Sequence, residues 1–280
     1  MSTNGRLSGK RALVTGAGTG IGREIALEFA RQGADVVLHC AHSTAGAESA
    51  AEEIRSLGRR AIVVQADFDD LDRVAHVARQ AVEFLGGVDC LVNNSGITLN
   101  KPFLEVTPEQ FNLLYNVNMR AQFFLTQEIV RDMLPRARGA VCNLTSVHGL
   151  QGAPEHSVYA GTKGAIMSYT RALAVELAHR GIRVNAIAPG WVTVENYYKA
   201  IPGYGEESAQ EAARKAIPLG RAGHPLDIAR LAVFLCSDDA EFIVGQTVVA
   251  DGGTTALMSL FPDFRGRSKY RFGTGYVPGV

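Results

Sequence analysis

The chain alternates short apolar runs with longer amphipathic stretches. "RALVTG" reads as a strand that breaks at glycine. "GIGREIALEFARQG" follows, with Ile21, Ile25 and Phe29 at helical spacing and a stop at Gly33. Further strands are predicted in "ADVVLHC", "AIVVQAD", "VDCLVNNSG", "GAVCNLTS", "IRVNAIAPG" and "GQTVVADGG". Helices are predicted in "AGAESAAEEIRSLG", "LDRVAHVARQAVEFLGG", "SVYAGTKGAIMSYTRALAVELAHRG" and "HPLDIARLAVFLCSD". "TPEQFNLLYNVNMRAQFFLTQEIVRDML" predicts one long helix, with Thr107 as N-cap and Pro108 at its first position. Strands alternating with helices imply right-handed crossovers and a parallel sheet. Strands so uniformly apolar imply a sheet covered by helices on both faces, an α/β doubly wound architecture. One domain is expected over residues 1–255, followed by a tail at 256–280.

Composition narrows the function. The chain has 280 residues and is 46% hydrophobic, enough for a substantial core. Lys+Arg and Asp+Glu both number 28, so there is no basic excess to neutralise nucleic-acid phosphates. No apolar run reaches membrane-spanning length, and the N-terminus does not read as a signal peptide. Cys40, Cys90, Cys142 and Cys236 lack metal-ligand or redox-pair spacing. They are expected to be buried thiols in a cytoplasmic protein that holds no metal.

The loop "TGAGTGIG", Thr15–Gly22, lies between the first strand and the first helix. Its glycines allow a tight turn and close approach of a phosphate, and the helix then offers free N–H groups. Farther along, Tyr159 and Lys163 stand four apart on a predicted helix, on one face. An adjacent ammonium favours the phenolate, which would lower the tyrosine pKa and fit it for proton transfer to or from an alcohol or ketone. Ser146 follows the fifth strand, at the sheet edge where such folds bind ligands.

These features resemble the short-chain dehydrogenases/reductases. The glycine loop, "NNSG" at 93–96, Asn118 in "NVNM", Ser146, Tyr159, Lys163 and "PGWVT" at 189–193 follow the family's order over about residues 8–253. The resemblance implies a Rossmann-like three-layer sandwich around a seven-stranded parallel sheet. It implies Tyr159 as general acid/base, Ser146 on the substrate oxygen, and Lys163 on both the tyrosine and the nicotinamide ribose. Asn118 would support a water linking Lys163 to solvent. Gly16, Thr19, Gly20, Ile21, Gly22, Asp67, Asn94, Gly96, Pro189, Gly190, Val192 and Thr193 would contact the dinucleotide. Asp67 could instead cap the following helix. Ser95 stands where alanine is commoner, and Ala160, Gly161 and Gly164 are expected to let the cofactor come close. The resemblance also implies a homo-oligomer, commonly a tetramer.

Cys40 stands where NAD-preferring members usually carry an aspartate, and no acid occurs from His39 through Ala47. His42 and Ser43 could meet a ribose phosphate, so NADP is expected over NAD. The alternative is that both histidines are only surface polar groups. The segment 190–220 corresponds to the family's substrate lid. Trp191, Tyr197, Tyr198 and Tyr204 give it aromatic character, and Glu195, Asn196 and Lys199 add polarity. His148, Gln151 and His156 precede Tyr159. Together they suit a sugar, polyol or sugar acid. A 3-oxoacyl thioester reductase is the alternative, a non-catalytic dinucleotide sensor a second. The basic, aromatic tail is expected to pack against the protein or a neighbouring subunit.

Overall fold

A computed structural model describes residues 5–195, 197, 203–258 and 265. Its strands are β1 (Arg11–Val14), β2 (Asp35–Cys40), β3 (Ala61–Gln65), β4 (Cys90–Asn93), β5 (Gly139–Leu144), β6 (Ile182–Pro189) and β7 (Thr247–Ala250). They form one parallel sheet in the order β3-β2-β1-β4-β5-β6-β7. The order reverses between β1 and β4. A crevice therefore opens there, at the carboxyl edge, because the connecting segments leave in opposite directions.

The helices are α1 (Gly20–Arg31), α2 (Thr44–Ser56), α3 (Leu71–Leu85), α4 (Pro108–Tyr115), α5 (Ala121–Met133), α6 (Ser157–Ala178), α7 (Glu206–Ala216) and α8 (Pro225–Cys236). Alternate strand residues face opposite layers. Val14, Val36, Leu38 and Val92 pack against α1, α2 and α8, with Ile21 at the border. Leu13, Val37, Leu91, Val141 and Val184 pack against α3, α5 and α6. All four cysteines are buried and free. Among the described residues, no helix is long and apolar enough to cross a membrane.

The expected long helix from Thr107 is interrupted. Thr107 and Gln110 form a reciprocal capping box as the sequence suggests, but a π-helical turn, Asn116–Arg120, separates α4 from α5. Asn118 lies at its centre. That fully buried amide donates to the Ile97 carbonyl at 2.9 Å and accepts from the Ile97 N–H at 2.8 Å. Such turns commonly mark functional sites.

Two further expectations are corrected. Asp70, not Asp67, caps α3, its side chain accepting from the Asp72 N–H at 2.8 Å. His39 is not a surface residue but is buried at the end of β2. Asn196, Tyr198, Lys199 and the tail aromatics lie outside the described residues. Within the tail, Arg265 donates to the Ile217 carbonyl at 3.0 Å.

A polar chain crosses the sheet just below the crevice. The Asn93 amide donates to Thr126 Oγ1 and Asn143 Oδ1, both at 2.9 Å, and Asn143 donates to Thr170 Oγ1 at 2.9 Å. This ties β4 and β5 to α5 and α6. Buried polar groups left unpaired are costly, so Asn143→Ala is expected to destabilise the protein by roughly 2–4 kcal/mol. A lower urea midpoint with unchanged slope is the expected result, and an unshifted midpoint contradicts it.

Candidate active site

The glycine loop is built by contacts that only glycine permits. Gly16 and Gly20 hold φ of +64° and +54°. A Cβ on Gly22 would lie 2.2 Å from the Gly16 carbonyl oxygen and 2.4 Å from Asn94 Nδ2. A Cβ on Gly18 would lie 2.5 Å from the Ser43 carbonyl oxygen, so the start of α2 packs directly on the loop. Thr19 is the N-cap of α1 but makes no side-chain cap.

Thr15 and Asn94 lace this loop to the end of β4. Thr15 Oγ1 donates to the Val92 carbonyl at 3.3 Å and accepts from the Asn94 and Ser95 N–H groups at 2.9 and 3.0 Å. Asn94 Nδ2 donates to the Thr15 and Gly16 carbonyls at 3.0 and 3.2 Å.

His39 ties in a third strand end. Its ring stacks on Phe68 at 3.9 Å, and Nε2 lies 3.0 Å from the Ala66 carbonyl. That carbonyl can only accept, so Nε2 carries the proton and Nδ1 is the acceptor. Nδ1 takes the Gly16 N–H at 3.4 Å and lies 3.3 Å from Ser95 Oγ. Burial pushes this imidazole down to about 4, so it is neutral near pH 7. Ser95 thus has a partner that alanine would lack. Sequence reasoning missed both roles; the signal was a lone polar residue near the end of a buried apolar strand.

Together these loops enclose a cleft of about 610 Å³. Gly16, Thr19, Gly20, Ile21, Gly22, His42, Asp67, Asn94 and Gly96 all line it. His42 is exposed, its Nε2 3.9 Å from Asp67 Oδ2. Cys40 ends β2, buried, with its thiol toward Thr44 at 3.9 Å. Pro189 and Gly190 close β6, and the Gly190 N–H donates to the Ala250 carbonyl at 3.0 Å. Val192 is buried and bridges to Gly223, whose carbonyl accepts the Thr193 N–H at 3.0 Å.

Ser146, Tyr159 and Lys163 converge beyond the end of β5. Ser146 Oγ accepts the His148 N–H at 3.2 Å and lies close enough to the Tyr159 phenol to favour its charged form. Lys163 is buried, with Nζ donating to the Leu144 carbonyl at 3.0 Å and lying 5.5 Å from the Tyr159 ring centroid. The expected lowering of the phenol by the ammonium is not found. Burial pushes the phenol up to about 12, partly opposed by the nearby Ser146 hydroxyl. Burial also pushes Lys163 down to about 8. The lysine donates to a backbone carbonyl rather than to the phenol, and burial moves both groups toward their neutral forms, leaving the phenol neutral and the lysine still mostly charged near pH 7.

Asn118 serves this site through structure. Besides clamping Ile97, it donates to Thr162 Oγ1 at 3.2 Å, and its side-chain amide is taken up by the protein. The small residues on α6 also serve packing. A Cβ on Gly161 would lie 2.8 Å from the Tyr115 hydroxyl, and one on Gly149 would lie 3.0 Å from the Gly164 amide.

The expected substrate residues divide. His148 and His156 stack at 4.5 Å, with both rings edge-on to Tyr159 at 5.7 and 6.3 Å. Burial and the neighbouring His156 lower the His148 pKa, and its buried Nδ1 has no hydrogen-bond partner among the described residues. Gln151 is exposed on the following turn. Trp191 donates its indole N–H to the Tyr204 hydroxyl at 3.2 Å, which also lies 3.3 Å from Thr193 Oγ1. Tyr197 packs edge-on to Tyr204 at 5.6 Å, and Tyr198 lies outside the described residues. Among the described residues, no cluster of three or more His, Cys, Asp or Glu is placed to hold a metal ion.

Comparison with known proteins places this geometry. A family model described as enoyl-(acyl carrier protein) reductase matches residues 16–255. The chain is 40% identical over 259 residues to versicolorin reductase from Emericella nidulans, covering 90% of this chain and 98% of the relative. It is 38% identical over 254 residues to a trihydroxynaphthalene reductase from Pestalotiopsis fici, covering 88% and 89% of the two chains. A solved structure from Beutenbergia cavernae, provisionally assigned as an NAD(P)-dependent gluconate 5-dehydrogenase with bound NADP, superposes with a TM-score of 0.82. It is 39% identical, with 90% of this chain and 98% of that chain covered. The chain belongs to the short-chain dehydrogenase/reductase family, whose members are oxidoreductases acting on hydroxyl and keto groups.

Proposed function

We propose that the protein is an NADP-dependent reductase of a ketone carried on a hydroxylated ring. The observation that carries this reading is the Tyr159 phenol. Pushed up to about 12 by burial, it holds its proton throughout the physiological range. A neutral phenol beside a serine hydroxyl is a proton donor, and a developing alkoxide needs one.

The cleft fits a nicotinamide dinucleotide. Its glycines form a cradle that a Cβ would fill, and α1 turns the positive end of its dipole toward a pyrophosphate. Asp67 would meet the adenine, while His42 and Ser43 border the ribose. The end of β2 offers no carboxylate against a 2′-phosphate, which supports NADP over NAD. Asn94 and Gly96 would wall the middle of the cofactor, Tyr159 and Lys163 its nicotinamide ribose. Pro189, Gly190, Val192 and Thr193 would line the nicotinamide. The dinucleotide supplies the hydride.

The protein's part is proton chemistry. Tyr159 gives its proton to the ketone oxygen as that oxygen gains charge. The Ser146 hydroxyl donates to the same oxygen and steadies it. The protonated Lys163 stabilises the phenolate left behind, at 5.5 Å from its ring.

Substrate class is read from the walls. Stacked imidazoles on one side and the Tyr197–Tyr204 pair on the lid suit a flat ring. The relatives named for versicolorin and trihydroxynaphthalene support this choice. The second reading, a sugar or sugar-acid dehydrogenase, has the support of the gluconate dehydrogenase-like neighbour. Self-association is part of the proposal. Phe111 on α4, and Phe123 and Phe124 on α5, are exposed and could be covered by a second copy.

Three outcomes are expected. Gly22→Ala should weaken NADPH binding by about tenfold or more in calorimetry, because the new methyl meets the Gly16 carbonyl. Tyr159→Phe should lower kcat for ketone reduction by about 10²–10⁴ while leaving the NADPH Kd within about twofold. The reduction kcat should fall as pH rises through about 8, where Lys163 loses its proton. A profile flat to pH 10 would remove the lysine charge from the account.

A further inference from the structure

His39 lines the cofactor cleft, and the proposed reaction gives it no part. Its ring is buried and stacks on Phe68, also buried and also on the cleft wall. The residue grips the glycine loop twice. Its carbonyl accepts the Ala17 N–H at 2.8 Å, and its Nδ1 takes the Gly16 N–H at 3.4 Å. Buried polar atoms are costly to leave unpaired, so each ring nitrogen needs a partner. Nε2 is committed to the Ala66 carbonyl at 3.0 Å, which leaves Nδ1 as an acceptor only.

That acceptor has a second donor within reach. Ser95 Oγ lies 3.3 Å from Nδ1. An unprotonated nitrogen cannot donate, so the serine hydroxyl turns its hydrogen to the ring and its oxygen keeps both lone pairs. The Ser95 N–H donates to Thr15 Oγ1 at 3.0 Å, which holds the residue over the loop. Its Oγ lies 3.2 Å from where a Cβ on Gly16 would stand, and Ser95 lines the cleft.

We infer that His39 and Ser95 form a positioning pair for the dinucleotide, in which the imidazole takes the serine hydrogen and so presents the serine oxygen to a sugar hydroxyl of the cofactor. The sugar hydroxyls of a dinucleotide can donate, and an oxygen that has turned its own hydrogen away is the matching acceptor. A ligand bond to that oxygen also polarises the hydroxyl and strengthens its hold on the ring. An alanine at position 95 would keep the Gly16 bond to Nδ1 and lose the acceptor in the cleft, so the hydroxyl is not needed to build the loop. The inference rests on the dinucleotide site proposed above.

The test separates the two ring nitrogens in the full chain. His39→Asn brings an amide oxygen to about the place of Nδ1 and loses the Ala66 bond. His39→Gln reaches the Ala66 carbonyl with its amide nitrogen and loses the acceptor at Nδ1. Calorimetry measures NADPH binding to wild type, to both variants, to Ser95→Ala and to the His39→Gln/Ser95→Ala double variant, with a urea midpoint for each. Ser95→Ala and His39→Gln are each expected to weaken binding about three- to tenfold, the scale of one net hydrogen bond. The double variant should bind no worse than the weaker single, because both remove the same contact. His39→Asn should stay within about twofold of wild type. Both His39 variants lose the stack on Phe68, so their midpoints should fall alike and stability does not account for the difference. Wild-type affinity in Ser95→Ala, equal affinities in His39→Asn and His39→Gln, or additive losses in the double variant overturn the pair. Failure of wild type to bind NADPH or NADH overturns the dinucleotide site itself, and the pair with it.

Discussion

The site depends on one buried hydroxyl. Thr15 Oγ1 bonds a carbonyl of β4 and the two N–H groups that follow that strand. It thereby fixes the loop after β1 against the loop after β4, where the strand order reverses. That reversal opens a crevice in any doubly wound sheet, but it does not give the crevice a shape. Shape comes from the threonine, from the Asn94 amide on the Thr15 and Gly16 carbonyls, and from the neutral His39 ring joining a third strand end. The glycines then allow α1 and α2 to close on this frame without a Cβ in the way.

The chemistry follows from burial more than from pairing. Tyrosine and lysine four apart on a helix suggest an ion-assisted phenolate. In the folded protein both groups sit at the inner end of the crevice, where water is scarce and the charged forms are disfavoured. The lysine finds a carbonyl and the phenol finds a serine. In the proposed reading the neutral phenol is a stored proton for a carbonyl oxygen of the substrate. This arrangement suits reduction, because the charge that forms on the substrate oxygen is quenched as it appears.

Much of this could be read along the chain, and the reasons for the rest are physical. The strands were legible because a sheet covered on both faces needs continuous apolar runs. The glycine loop was legible because its steric demand admits no other residue. The π turn at Asn118 was not, since the residue's partner there is Ile97, far from it in sequence. His39 looked like a surface group because nothing local reveals that Phe68 and Gly16 will enclose it. Asp70 displaced Asp67 as the cap of α3 by a shift of three positions, because either aspartate precedes the apolar run closely enough to cap it. The position of His148 against His156 depends on a loop turned by Glu155 at φ +64°, which neither pattern nor composition announces.

The central claim is that Tyr159 protonates a carbonyl oxygen while the neighbouring carbon takes a hydride. The most direct measurement supplies NADPH deuterated at its transferable C4 position, with hydroxylated ring ketones and keto sugar acids in parallel. Mass spectrometry and NMR then locate the label in the product. The account predicts one deuterium on the carbinol carbon of a ring alcohol. Deuterium on a carbon of a reduced carbon–carbon double bond, or no transfer to any ketone, would contradict it.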